Sequence, residues 1–328
     1  MKSSTASRPA GAKGNRLNDT ARKAERRPKG CAYWRNLLAF AFGMLILGSA
    51  FVFYGVLPVL YAFRRAHPDR IPVCCTDPAD YGLAYEDVSI ESADGAVLRG
   101  WYIRSRNGAA VVLAHGIGGN RMAVLEQGAF LAQEGYGALL LDLRAHGESG
   151  GDAVTFGGED IRAAVEWLES QPDVGGKIGA AGYSLGGLQA LQAAAGMPRI
   201  AAVLADGAAP NVFADTPAPD RVPRWLDLPF QWVTFQVWAV LGVTGPMPLT
   251  EAIQKISPRP ILLIAGGASD YETAMQAGFL RAAGEGGSLW EIPGAGHNGG
   301  WALQTEEYKR RMAGFFNQAL LHQSGAIN

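Results

Sequence analysis

The sequence predicts an α/β protein in which helices flank a mostly parallel sheet, and three observations support this prediction. From residue 82 onward, short apolar runs alternate with amphipathic stretches. Most of the apolar runs lack polar–apolar alternation, as expected of strands that are covered on both faces. The chain has 328 residues, of which 48% are hydrophobic and 18% charged, so it can bury a sizeable core.

Six apolar runs are predicted to be buried strands: 109–116, 137–143, 177–184, 200–207, 260–267 and 287–294. Helices are expected around 121–135, 158–171, 186–196, 272–284 and 302–320. A hairpin that turns at Asp94 and Gly95 precedes them. An antiparallel start followed by strand–helix alternation favours a sheet whose ligands bind at the carboxyl ends of its strands.

A region without strands interrupts this order between residues 208 and 258, and its segment 228–250 carries no charge. If that segment crossed a membrane, strands 200–207 and 260–267 would lie on opposite sides and could not pair. We therefore expect a helical lid insertion over the carboxyl edge of the sheet. Its aromatic side chains either cover substrate, touch lipid or pack the insertion onto the body: Phe230, Trp232, Phe235 and Trp238.

The N-terminal part of the chain is predicted to be a membrane anchor. Residues 37–63 run without a charge, and about 20 such residues span a bilayer as a helix. The run is too long for the apolar region of a cleaved signal peptide. The expected organisation is a disordered basic tail at 1–30, a transmembrane signal anchor at 31–65, a linker at 66–81 and the α/β domain at 82–328.

Basic residues on the two sides of the anchor predict its orientation. Six lie close to its amino end and three close to its carboxyl end. The side richer in Lys and Arg stays in the cytoplasm. We therefore expect a single-pass membrane protein with a cytoplasmic N-terminus and an extracytoplasmic α/β domain.

Composition argues against several classes of partner. The formal net charge is −1, so no basic field favours a nucleic-acid partner. The three cysteines, Cys31, Cys74 and Cys75, are too few for a disulfide framework and lack the CxxC spacing of a zinc site. We expect neither a cofactor nor a metal.

Two stretches match the pattern Gly-x-Ser-x-Gly of serine hydrolases, one centred on Ser184 and one on Ser149. Ser184 follows a predicted strand and precedes a helix former rich in Ala, Leu and Gln, which is the strand–turn–helix setting that exposes a nucleophile. Ser149 lies six residues past the end of its strand and is followed by a loop. We predict Ser184 as the nucleophile; the alternative role for it is a helix cap.

A serine nucleophile needs a base and an acid that orients the base. Of five histidines, His297 remains after elimination, in a loop after the last strand. Asp270 follows the carboxyl end of the preceding strand, and Glu272 is the alternative acid. The chain order Ser184, Asp270, His297 is the order expected for this kind of site.

Five segments, "HGIGGN", "LLDLRAHGESGG", "GYSLGG", "GGASD" and "GAGHNGG", resemble those of α/β-hydrolases. From about residue 82 to 320 the chain is similar to the branch of lysophospholipases, monoacylglycerol lipases and serine aminopeptidases. The resemblance implies an eight-stranded type of sheet and an oxyanion hole made by the backbone N–H groups of Ile117 and Leu185. It also implies that "GESGG" is a structural loop after the fourth strand.

These observations predict a serine hydrolase that cleaves a lipid-like or small carboxylic ester through a covalent acyl-enzyme. The expected partners are the ester substrate and the membrane bilayer. Two alternatives stay open: a peptidase or amidase of the same fold, and a catalytically silent, membrane-bound interaction protein.

Overall fold

The computed structural model describes residues 29–218 and 222–321. The predicted disordered tail therefore lies almost entirely outside the described residues. The chain divides into two units, one ending at Phe53 and one beginning at Tyr54.

In the smaller unit, the described residues form helix α1 (Lys29–Phe51). The chain continues through a π-helical turn at Val52–Val56 into helix α2 (Leu57–Ala66), which belongs to the larger unit. Within the described ranges, the stretch Gly30–Ala66 is the one helix with the length and composition of a membrane span, with a mean hydropathy of 2.2 and none of its most apolar window buried. Such a helix suits a transmembrane segment or a signal anchor.

Helix α2 packs within the larger unit. Its small side chains are buried, and two of its carbonyls accept hydrogen bonds. The Ala62 carbonyl accepts one at 3.0 Å from Nε1 of Trp238, and the Ala66 carbonyl one at 2.9 Å from the Val154 amide. The last turns of the apolar helix thus belong to the unit that carries the sheet.

The sheet has eight strands, in the spatial order β1-β2-β4-β3-β5-β6-β7-β8. Strand β2 runs antiparallel to both of its neighbours, and the remaining pairs are parallel. This confirms the predicted fold class. The strands are β1 (Glu86–Glu91), β2 (Val97–Ile103), β3 (Ala110–Ala114), β4 (Gly137–Asp142), β5 (Ile178–Tyr183), β6 (Ile200–Asp206), β7 (Ile261–Gly266) and β8 (Gly287–Ile292).

Alternate residues of the central strands belong to two separate apolar clusters, one on each face of the sheet. Both faces are therefore covered by helices. In β3, Val112 belongs to one cluster, and Val111 and Leu113 belong to the other. The helices are α3 (Leu125–Gln133), α4 (Glu159–Glu169), α5 (Leu185–Gly196), α6 (Val222–Val240), α7 (Leu249–Ile256), α8 (Asp270–Ala283), α9 (Gly300–Leu303) and α10 (Thr305–Phe316).

Helices α6 and α7 form the predicted insertion between β6 and β7. One face of α6 packs on the body: Phe235 is buried, and the ring of Trp238 lies 5.1 Å from that of Phe156. Trp232, on the other face, is exposed. The aromatic side chains therefore divide between packing and an exposed apolar surface.

Candidate active site

Ser184 occupies the sharp turn between β5 and α5. Its φ of 52° and ψ of −110° lie in a region that residues other than glycine rarely adopt. The Ser184 amide donates a hydrogen bond of 2.8 Å to the Asp206 carbonyl at the end of β6, which holds the turn. The predicted nucleophile therefore stands on a strained strand-to-helix turn, as its sequence setting indicated.

The two motif glycines are required by close backbone approach. A Cβ on Gly182 would lie 2.2 Å from the Gly186 carbonyl oxygen, and a Cβ on Gly186 would lie 2.2 Å from the Ala114 carbonyl oxygen. Both distances are far below van der Waals contact. The Gly-x-Ser-x-Gly pattern is thus a steric requirement of the turn that presents Ser184.

His297 follows β8 and pairs with a carboxylate. Its Nδ1 lies 2.8 Å from Oε2 of Glu272, and the amide of Gly266 donates to Oε1 of Glu272 at 2.8 Å. The hydrogen bond to Glu272 raises the pKa of His297, and burial opposes that effect. With Nδ1–H donating to the carboxylate, Nε2 is left to accept a proton.

Asp270, the predicted acid, does not occupy the position beside His297; the alternative, Glu272, does. Ser269 caps α8 by accepting from the Glu272 amide at 3.3 Å, so the helix begins at Asp270. This places Asp270 at an exposed position, whereas Glu272 is buried against the end of β7. The sequence indicated the right loop, but the start of the helix decides which carboxylate faces inward.

The end of β6 contacts both the Ser184 turn and the loop that carries His297. The Asp206 carbonyl accepts from the Ser184 amide and from Nδ2 of Asn298, each at 2.8 Å. A Cβ on Gly207 would lie 2.8 Å from Cε1 of His297. Across residues 29–218 and 222–321, no hydrogen bond joins the Ser184 hydroxyl to the imidazole, and such bonds often tighten only when substrate binds.

Ile117 and Leu185, whose amides the resemblance implies as the oxyanion hole, lie in the two chain segments next to Ser184: Leu185 follows it in the chain, and a Cβ on Gly116 would lie 3.3 Å from the Cβ of Ser184. Leu185 opens α5, so its N–H has no partner within the helix and carries the positive end of the helix dipole. In the Ile117 loop, the Gly118 amide donates to Nε2 of His146 at 3.0 Å and that of Gly119 to the Gly116 carbonyl at 3.0 Å. No described residue accepts from the amide of Ile117 or Leu185.

Two other histidines support this loop. His115 is fully buried, with Nδ1 2.7 Å from the Gly116 carbonyl and Nε2 accepting from the Leu143 amide at 3.1 Å. Burial lowers the pKa of His115 to about 3, so its ring is neutral. Nδ1 of His146 lies 2.9 Å from the Arg144 carbonyl. These contacts are consistent with the elimination of both histidines as bases. They give both rings a role in positioning the Ile117 loop, which the sequence did not show.

Ser149 is a structural residue. Its hydroxyl donates to the Asp142 carbonyl at 2.6 Å and accepts from the Arg99 amide at 2.8 Å. The Asp142 carboxylate in turn accepts from the amides of Arg121 and Glu148. The "GESGG" loop is therefore held by buried hydrogen bonds, and its serine is 1% exposed.

Asp206 is a second buried carboxyl group at the site, and the sequence analysis missed it. Its Oδ2 accepts from the Tyr308 hydroxyl at 2.9 Å, and Nδ2 of Asn298 lies 3.4 Å from Oδ1. Burial raises the pKa of Asp206 to about 6. Its position at the end of the apolar run "IAAVLAD" was the available signal. The described residues contain no cluster of three or more potential ligands placed to hold a metal ion.

The uncharacterized protein Rv2307c of Mycobacterium tuberculosis is 32% identical over 223 residues, which is 66% of this chain and 73% of that protein. The esterase Pf2001 of Pyrococcus furiosus is 26% identical and superimposes with a TM-score of 0.63 over 78% of this chain and 98% of its own. A dienelactone hydrolase from Anabaena variabilis shares the fold, with a TM-score of 0.53 at 22% identity over 73% of this chain and 99% of its own.

Residues 111–311, which are more than half of the chain, match the model of the alpha/beta hydrolase family. That stretch contains the serine turn and the His297–Glu272 pair. It also covers the strands and the helix that position them, which are β3 from its second residue, β4 to β8 and α5. The chain therefore belongs to the alpha/beta hydrolase family.

Proposed function

We propose that this protein is a serine hydrolase that cleaves a carboxylic ester through a covalent acyl-enzyme on Ser184. The observation that carries the proposal is the arrangement at one sheet edge: a serine on a strained turn, beside a histidine whose Nδ1 lies 2.8 Å from a buried glutamate. The similarity to the Pyrococcus furiosus esterase supports an ester substrate.

The mechanism follows from the roles of these atoms. Nε2 of His297 takes the proton of the Ser184 hydroxyl as its oxygen attacks the carbonyl carbon. Glu272 holds the Nδ1–H tautomer and stabilises the imidazolium that forms. His297 then returns the proton to the departing alcohol, and the acyl group stays on Ser184. Water, activated by the same imidazole, hydrolyses that ester.

The negative charge that develops on the carbonyl oxygen needs donors placed in advance. In our proposal these are the backbone N–H groups of Ile117 and Leu185. Each such donor contributes roughly 3 kcal/mol to transition-state stabilisation.

We also propose that the protein is a single-pass membrane protein with an extracytoplasmic catalytic unit, so that the bilayer is a partner and lipid-like esters are within reach. The apolar helix and the basic residues on its amino side support this topology. Protease added to intact cells should then degrade the catalytic unit. Protection until the cells are lysed would place it in the cytoplasm.

A fluorophosphonate probe tests the catalytic assignment. Wild type should be labelled, and Ser184→Ala should not. Hydrolysis of a p-nitrophenyl ester and of the matching p-nitroanilide then compares ester with amide cleavage. Greater activity on the anilide would favour the peptidase alternative, and absence of labelling in wild type would favour the silent interaction protein.

A further inference from the structure

A cavity of about 700 Å³ lies between the insertion and helix α2, all within the larger unit. Its walls are mainly aromatic and apolar, and the side chains of Tyr61, Phe230, Phe235 and Trp238 are among them. This volume is typical of pockets that bury most of a small organic ligand. Two charged residues, Arg65 and Asp227, also line it, and they are opposite in sign.

Helix α2 is fixed as one wall of this cavity. The Tyr61 ring lies 5.8 Å from that of Phe230, and the Trp238 indole donates to the Ala62 carbonyl at 3.0 Å. Because α2 is the last part of the apolar helix Gly30–Ala66, the chain's candidate membrane segment supplies part of the pocket.

The cavity is also lined by residues of the chain segments that carry Glu272 and contact His297. Ser269 and Tyr271, which line it, are the near neighbours of Glu272 in the chain. Ala209 and Pro210, on another wall, follow Gly207, whose backbone lies against the His297 ring. The walls of the cavity are thus continuous in the chain with the segments that hold the His297–Glu272 pair.

We propose that this cavity binds the hydrocarbon chain of the ester substrate, so that α2 and α6 together determine chain-length specificity. The inference rests on the proposed ester hydrolysis at Ser184. An alkyl chain fits because it needs no hydrogen-bond partners and gains free energy from every methylene that the aromatic walls remove from water. Either the acyl group or the alcohol of the ester can supply this chain.

Gln231 allows a sharp test. It lines the cavity, and its buried side-chain oxygen has no hydrogen-bond partner among the described residues, so Gln231→Trp fills the space without breaking a bond to that atom. Gln236 lies on the same helix, is exposed and is outside the cavity. Gln236→Trp is therefore a matched control with the same change of residue.

Two ester series measured on the full chain in detergent reveal which part of the substrate enters. One series lengthens the acyl group, from p-nitrophenyl acetate to the decanoate. The other lengthens the alcohol, from ethyl to decyl acetate. In Gln231→Trp, the ratio of kcat/KM for the longest to the shortest member should fall about tenfold or more in one series, in line with the discrimination that hydrophobic pockets give to small changes of chain size.

The control Gln236→Trp should keep the wild-type ratio in both series. Tyr61→Ala, which removes part of the α2 wall, should also lower the ratio. Unchanged ratios in Gln231→Trp and Tyr61→Ala, with Ser184 still labelled by the fluorophosphonate, would overturn the inference. If wild type hydrolyses no ester at all, the proposed function fails instead. Titration of decanoate into wild type and Gln231→Trp then still tests the pocket. Weaker binding of decanoate to the variant supports the inference, and equal binding overturns it.

Discussion

The Glu272 carboxylate joins the end of β7 to the imidazole of His297. One oxygen accepts from the Gly266 amide and the other lies on Nδ1 of His297, each at 2.8 Å. The acid is thus held by the sheet itself, in the position from which it can orient the base.

Replacing the two neighbouring acids distinguishes their roles. Glu272→Gln should lower kcat by roughly 10³- to 10⁴-fold, because the amide no longer stabilises the imidazolium or the correct tautomer. Asp270→Asn, two residues away and exposed, should stay within about twofold of wild type. Steady-state hydrolysis of p-nitrophenyl acetate measures both, and a larger loss in Asp270→Asn would restore the acid predicted from the sequence.

In the proposed mechanism, the same pair determines how activity depends on pH. His297 must be neutral to accept the serine proton, so kcat/KM rises as pH rises through the pKa of His297. The hydrogen bond to Glu272 raises that pKa, and the charge of Asp206 also raises it, whereas burial and the charge of Arg65 lower it. The residual activity of Glu272→Gln should therefore begin at a lower pH than that of wild type.

A full pH profile of kcat/KM, from pH 4 to 9 at constant ionic strength, measures this shift. An unchanged acidic limb in Glu272→Gln would mean that Glu272 does not control the ionisation of His297. Arg65→Gln provides a check of opposite sign, since removal of its positive charge should move the limb to higher pH.

Much of the fold could be predicted because apolar runs typical of strands alternate regularly with amphipathic stretches typical of helices. The central runs are continuously apolar because helices cover both faces, and the insertion was recognisable because it breaks the alternation. The sharp turn at Ser184 was predictable for a steric reason: only glycine fits at 182 and 186 around it.

The carboxylate that pairs with His297 could not be predicted from sequence spacing alone. Asp270 and Glu272 lie in one turn of α8, and the cap at Ser269 decides which of them points at His297. Asp206 was missed because its partners, Tyr308 and Asn298, are about a hundred residues away in sequence and meet it only in the folded sheet edge. Such long-range pairings leave no local pattern.

Gly186 should tolerate no side chain. In Gly186→Ala the added Cβ would lie 2.2 Å from the Ala114 carbonyl oxygen, so the turn must shift, at a cost of about 3 kcal/mol or more. Gly196→Ala, at the other end of the same helix, has open space around its Cβ. Thermal unfolding and fluorophosphonate labelling should both be impaired in the first variant and preserved in the second. Equal behaviour of the two would refute the steric explanation.

Ser149→Ala separates stability from catalysis. The variant loses two buried hydrogen bonds, to the Asp142 carbonyl and from the Arg99 amide, and leaves both backbone groups without that partner. Unfolding free energy should fall by about 1–3 kcal/mol. Labelling of Ser184 at a temperature where the variant is folded should equal that of wild type, whereas abolished labelling in a folded variant would give Ser149 a catalytic part.

Asp206 should make stability depend on pH in a direction opposite to that of an ordinary ion-paired carboxylate. Burial raises its pKa to about 6, above the value of about 3.9 for an unfolded chain, so the folded state binds the extra proton between these values. The stability that this proton contributes is present at low pH and is lost as pH rises through about 6.

Asp206→Asn removes this titration and keeps the group's shape. The new amide can accept from Asn298 and donate to the Tyr308 hydroxyl, which is itself able to accept. Between pH 5 and pH 8, the stability of wild type relative to the variant should fall by about 1 kcal/mol. Because the charge of Asp206 raises the pKa of His297, both proteins also carry His297→Gln in this comparison. Melting temperatures of the two in the same buffers then measure the difference, in which groups that titrate alike in both proteins cancel. A difference that stays constant with pH would show that Asp206 is already ionised at pH 5.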